Sequence, residues 1–121
     1  MKIQTTNPIN FEHVSDLEQQ LGTDDFTKLI HCFSQEIESL INLISITKIE
    51  KAGLENLIGK VHQSAGSAAA LGIIGLQKQL NIMESIAETG KPDDLLYELT
   101  NLTEIWQVAK ATFINKGLME V

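Results

Sequence analysis

The stretch Val61-His62-Gln63-Ser64-Ala65-Gly66-Ser67-Ala68-Ala69-Ala70-Leu71-Gly72 sets one histidine at the head of a run of very small residues. Around it, Leu54, Leu57, Ile58, Val61, Ala65 and Ala68 recur at spacings of three and four, which predicts a helix beginning near Leu54 with these side chains inward. At about 100° per residue, with Leu54 at zero, this line stays within about 60° of zero. On the same count His62 falls near 80°, Ala69 near 60°, Gly66 near 120° and Gly59 near 140°. His62 is therefore a rim residue in a shallow clearing. Glycine costs about 1 kcal/mol relative to alanine inside a helix, so Gly59 and Gly66 need a reason. Clearance for something that approaches the histidine supplies one.

Working outward, Leu71 and Gly72 end this helix, with Gly72 available as the left-handed residue behind it. A further helix from Ile73 to about Glu88 lines up Ile73, Leu76, Leu80, Met83 and Ala87 and stops at Gly90. Pro92, Asp93 and Asp94 open a last helix that carries Leu95, Leu99, Leu102, Trp106, Ala109 and Phe113 inward until Lys116 and Gly117 close it. Upstream, Asn10 caps a short helix from Phe11 to Leu21, with Phe11, Val14, Leu17 and Leu21 on one face, and Gly22 stops it. Thr23 is expected to cap the next, whose stripe is Phe26, Leu29, Ile30, Phe33, Ile37, Leu40, Ile41 and Ile44. Between Ile46 and Gly53 the pattern breaks. No segment alternates with the two-residue period of a strand.

Four long amphipathic helices with short connections predict an all-α fold, an antiparallel up-down-up-down four-helix bundle with a short N-terminal capping helix. The expected organisation is a lead-in over 1–9, one bundle over 10–117 and a tail over 118–121. The 121 residues suffice for one such core and not for two. Hydrophobic residues at 43% and charged residues at 21% are ordinary for a globular chain.

The formal net charge of −7, without a run of basic residues, argues against nucleic acid and anionic membrane surfaces, which need a cationic footprint. Met1 to Asn10 lacks the apolar segment of a signal peptide, and Ala68 to Leu76 is about half the length that spans a bilayer. With the single Cys32, these features lead to the expectation of a cytoplasmic domain.

A phosphate-cradling loop is excluded, because Ile73 and Ile74 follow Gly72 where Lys and Ser or Thr are required. No His-Glu-x-x-His, Cys-x-x-Cys or Glu-x-x-His pair is present, so no metal site is expected. His13 and His31 read as surface or boundary histidines, Cys32 as a small buried or half-buried side chain, and Trp106 as core.

His62, Gly66, Ser67, Leu71 and Gly72 stand where the signature of histidine phosphotransfer domains has its histidine, glycine, Ser/Ala and later leucine-glycine pair. The chain resembles that family over about residues 10 to 116. The resemblance implies a four-helix bundle whose histidine, here His62, takes a phosphoryl group from an aspartyl phosphate of a response-regulator receiver domain and passes it to another receiver. It implies a carrier with no nucleotide site and no intrinsic cofactor, to which the partner receiver brings Mg²⁺. Receiver domains and a hybrid sensor kinase are the implied partners, met by a monomer. The family often places a polar side chain on the following helix to orient the imidazole, and Glu84 and Gln77 are the candidates. Gly59, Gln63, Gly66, Ser67, Ala69 and Ala70 would form the docking clearing. One departure stands out: the family usually has lysine three residues after the histidine, and this chain has Ala65. Lys60 is turned away from His62 on helical counting, whereas Lys78 on the next helix is a possible substitute. The alternative expectation is a bundle that docks receiver or signalling domains without phosphotransfer.

Overall fold

The computed structural model describes residues 8–46, 51–89 and 92–120. Five helices follow one another: α1 (Phe11–Leu21), α2 (Thr23–Ile46), α3 (Lys51–Ala70), α4 (Ile74–Glu88) and α5 (Pro92–Asn115). The described residues contain no strand. The long helices contact one another in a closed cycle, α2 on α3, α3 on α4, α4 on α5 and α5 on α2, while α1 lies against α2.

The apolar stripes account for this arrangement, because each is buried on its neighbours. Phe26, Ile30, Phe33, Ile37 and Ile44 of α2 meet Leu57, Val61, Ala65 and Ala68 of α3, Leu76, Leu80 and Met83 of α4, and Leu102, Trp106 and Phe113 of α5 in one core. Phe33 packs edge-on against Trp106, with ring centroids 5.8 Å apart. The α3 side of this core is built from small residues while the α2 and α5 sides hold the aromatics.

Helix ends follow local chemistry. The Asn10 side chain accepts the His13 amide at the start of α1. Contrary to the sequence expectation, Thr23 does not cap α2 but lies inside its first turn. Gly22 instead serves both helices: its N–H bonds Glu18 O at the end of α1, and its carbonyl accepts the Phe26 amide. The Thr23 hydroxyl donates to Glu18, 2.8 Å away. Helix α3 begins at Lys51, about a turn ahead of the expected start near Leu54. The expected stop at Gly90 and the inward placement of Leu54 lie outside the described residues, and Thr89 follows α4 with its hydroxyl on Ile86 O.

The end of α3 is a Schellman turn. Ile73 N–H reaches Ala68 O and Gly72 N–H reaches Ala69 O, with Gly72 at φ +81°. Against this turn lies the start of α1, tied by Asn10 N–H to Gly72 O at 2.8 Å and Gly75 N–H to Pro8 O at 2.9 Å. A Cβ on Gly75 would come within 2.7 Å of Pro8, and one on Gly72 within 2.9 Å of the His13 ring, so both glycines permit the close approach. After α5 the chain turns at Gly117 and buries Leu118.

Four side chains lie differently from their sequence reading. Phe11, Leu21 and Leu29 are exposed, as is Cys32. Leu29 sits about 80° from Ile37 around α2, at the edge of the stripe, and Cys32 about 140° away, on the outer face.

Candidate functional site

His62 projects from the middle of α3, with its side chain 75% exposed. Two turns of the α3 core line hold it in place from beneath, since Val61 and Ala65 on either side are fully or almost fully buried. Ring Nδ1 lies 3.0 and 3.2 Å from the two carboxylate oxygens of Glu84 on α4. A carboxylate accepts and does not donate, so in the neutral form of the ring this contact puts the proton on Nδ1 and the lone pair on Nε2. Glu84 is the sheltered partner at 21% exposure, which fixes the acceptor while the ring stands in the open.

The surroundings of the ring on α3 are nearly bare. Gly59 and Gly66 are exposed, and a Cβ added at either would meet nothing within 4 Å. Neither glycine is therefore required by packing against the described residues, although each costs helix stability. Gln63 and Ala70 are exposed, and Ser67 and Ala69 are half-buried. Gln77 is half-buried on α4 and makes no hydrogen bond to His62 among the described residues.

Neither Lys60 nor Lys78 stands in for the lysine that the family resemblance leads one to seek. Ala65 is 5% exposed and belongs to the core, so that position faces inward here. Lys60 lines a separate cleft between α2 and α3, with Glu36, Ser39, Leu40, Leu43, Gln63 and Ser64. Lys78 precedes Glu84 by six residues, which turns it about 120° around α4.

Several polar anchors between helices escaped the sequence reading, among them the following. The His13 ring donates Nε2–H to Ala70 O at 2.8 Å, satisfying a carbonyl at the exposed end of α3. The buried Ser64 hydroxyl donates to Glu36 across the α2–α3 contact at 2.8 Å. On α2, Glu38 accepts from both Trp106 Nε1 and Lys110 Nζ of α5, each at 2.9 Å. The Trp106 hydrogen bond, then that of Lys110, holds the Glu38 carboxyl below its ordinary range, with burial opposing them. Each pairing joins residues far apart in sequence, and only the polar class of the side chain hinted at it.

Among the described residues no three His, Cys, Asp or Glu side chains gather as a metal site, and no helix is long and apolar enough to cross a membrane. No protein-family model, curated protein or solved structure matches the chain.

Proposed function

We propose that this chain is a histidine phosphotransfer carrier, which accepts a phosphoryl group on His62 from the aspartyl phosphate of a receiver domain and passes it to a second receiver. The observation that carries the reading is the His62 ring, exposed on a glycine-flanked stretch of helix with Nδ1 held by Glu84 and Nε2 open. In this reading α2 to α5 run up-down-up-down as a four-helix bundle, and α1 caps the α3–α4 turn.

In the transfer, the Nε2 lone pair attacks phosphorus in line with the departing aspartate oxygen. The P–O bond breaks and its electron pair leaves on the aspartate carboxylate. The new P–Nε2 bond leaves positive charge on the ring, whose Nδ1–H stays against Glu84. Gly59, Gly66, Ala69 and Ala70 give the receiver room to bring its phosphoryl group to the ring, while Gln63 lies on the side of the α2–α3 cleft. The receiver supplies Mg²⁺ and most of the charge neutralisation. The chain works as a monomer in the cytoplasm, with receivers of a hybrid sensor kinase and a response regulator as partners. It catalyses no kinase reaction.

A second reading, receiver docking without phosphotransfer, is favoured by one feature: the core-facing Ala65 leaves the phosphoryl side of His62 without a cation from its own helix. Labelled phosphorylated receivers separate the two. The carrier reading predicts acid-labile, base-stable label on the wild type and none on His62→Gln. Receiver binding with no label on either protein overturns it in favour of docking.

A further inference from the structure

We infer that the cleft between α2 and α3 is a binding site for a free α-amino acid with an aliphatic side chain, its ammonium taken by Glu36 and its carboxylate by Lys60. Phosphotransfer at His62 plays no part in such a site, because Ser64 and Lys60 face α2 whereas His62 faces Glu84 of α4.

The cleft measures about 420 Å³, within the range of small-molecule sites, which runs from about 300 to about 1,000 Å³. Glu36, Leu40 and Leu43 line it from successive turns of α2, and Lys60, Gln63 and Ser64 line it from α3. Leu40 is 4% exposed and Leu43 is half-buried, so the two leucines give the cleft an apolar wall. Glu36 and Lys60 share the cleft, yet no ion pair joins them. The Lys60 ammonium and the Gln63 amide have no side-chain partner among the described residues. The Ser64 hydroxyl, 2% exposed, donates to Oε2 of Glu36 at 2.8 Å. That bond holds the half-buried carboxylate in place and leaves its Oε1 without a donor among the described residues.

Two opposite charges that line one cleft without meeting call for a ligand that carries both. A half-buried carboxylate with a free oxygen favours a cationic donor, and an unpaired ammonium favours an anionic acceptor. An α-amino acid sets its ammonium, its carboxylate and its side chain on a single carbon. Its ammonium can therefore reach Glu36 while its carboxylate takes Lys60 and Gln63 and an aliphatic side chain lies on Leu40 and Leu43. Lys60 adjusts to the carboxylate because its stem is flexible. A zwitterion also carries no net charge, so the −7 of the chain does not repel it as it would a simple anion. The leucines favour an aliphatic ligand by removing its apolar surface from water.

Titration of the ¹⁵N-labelled chain with L-leucine tests the site by NMR, with leucinamide as a probe that keeps only the ammonium and isocaproate as one that keeps only the carboxylate. The expected result is saturable shifts in the millimolar range at the amides of Leu40, Leu43, Lys60, Gln63 and Ser64, with each singly charged probe about tenfold weaker. Two variants probe the contacts in a folded chain. Lys60→Met removes an exposed charge, and Glu36→Gln keeps an oxygen for the Ser64 hydroxyl. Each should weaken leucine about tenfold while the unbound spectrum away from the cleft stays that of the wild type. The absence of a saturable shift in the cleft overturns the inference, as does leucine binding that either variant leaves unchanged. Equal binding of leucinamide or isocaproate also overturns it, since a single charge then suffices.

Discussion

Two carboxylates in this protein each accept an N–H from an aromatic ring on another helix, and the two contacts are built in opposite senses. At Glu38 the ring is buried: Trp106 is 1% exposed, and the carboxylate, 44% exposed, sits at the surface end of the contact. At Glu84 the carboxylate is sheltered and the His62 ring is in solvent. The first arrangement satisfies the indole N–H at the edge of the core, so its product is stability. The second sets a sheltered acceptor against an exposed ring, which contributes little to folding and, in the proposed carrier, orients the nucleophile. The same hydrogen-bond chemistry thus serves packing on the α2–α5 side and, in the proposed function, reactivity on the α3–α4 side, and the direction of burial tells the two contacts apart.

The comparison breaks first at Trp106. Trp106→Ala removes a fully buried ring and leaves Glu38 without one donor, and is expected to cost about 3–5 kcal/mol in urea unfolding. A loss below about 1 kcal/mol would show that this contact does not anchor the bundle.

Ala65→Lys comes next. It restores the residue type of the family pattern, yet its Cβ starts from a core position, so the side chain must push between helices or bend outward. The expected outcome is destabilisation by about 1–3 kcal/mol. Unchanged stability with faster labelling would mean that the lysine reaches the phosphoryl group freely.

The smallest effect is in acid. The hydrogen bonds of Trp106 and Lys110 lower the folded-state pKa of Glu38, so the stability from this contact is full above the ordinary carboxylate range. It disappears as pH falls through the lowered folded value, where the folded carboxylate takes up its proton. Because Glu38 is partly exposed, the term amounts to less than about 1 kcal/mol. Wild type should therefore lose slightly more stability between neutral and acid pH than Glu38→Gln, and parallel curves would remove Glu38 from the account.

Much of this architecture was legible in the sequence because spacing carries it. The inward lines of α4 and α5 are buried almost residue for residue, and helical counting placed His62 on a rim and Glu84 on the edge of the next helix. Counting falters where a residue sits at the edge of a stripe, as at Leu29, while at Cys32, which counting puts on the outer face, it is the residue type that misleads. It has no access to pairings such as His13 with the Ala70 carbonyl, 57 residues away, or Pro8 with Gly75, which exist only once the helices have met. It also assigned Ala65 inward, so the absence of a lysine there was readable, whereas the turning of Lys60 into the α2–α3 cleft needed the structure.

The most direct measurement follows labelled phosphate from phosphorylated receivers, with Mg²⁺ present, to wild type and to His62→Gln, alongside urea unfolding of both. The account predicts acid-labile label on the wild type alone, and stabilities that agree within about 0.5 kcal/mol, because His62 is exposed and outside the core. Label that persists in a folded His62→Gln, or a wild type that no receiver ever labels, would contradict it.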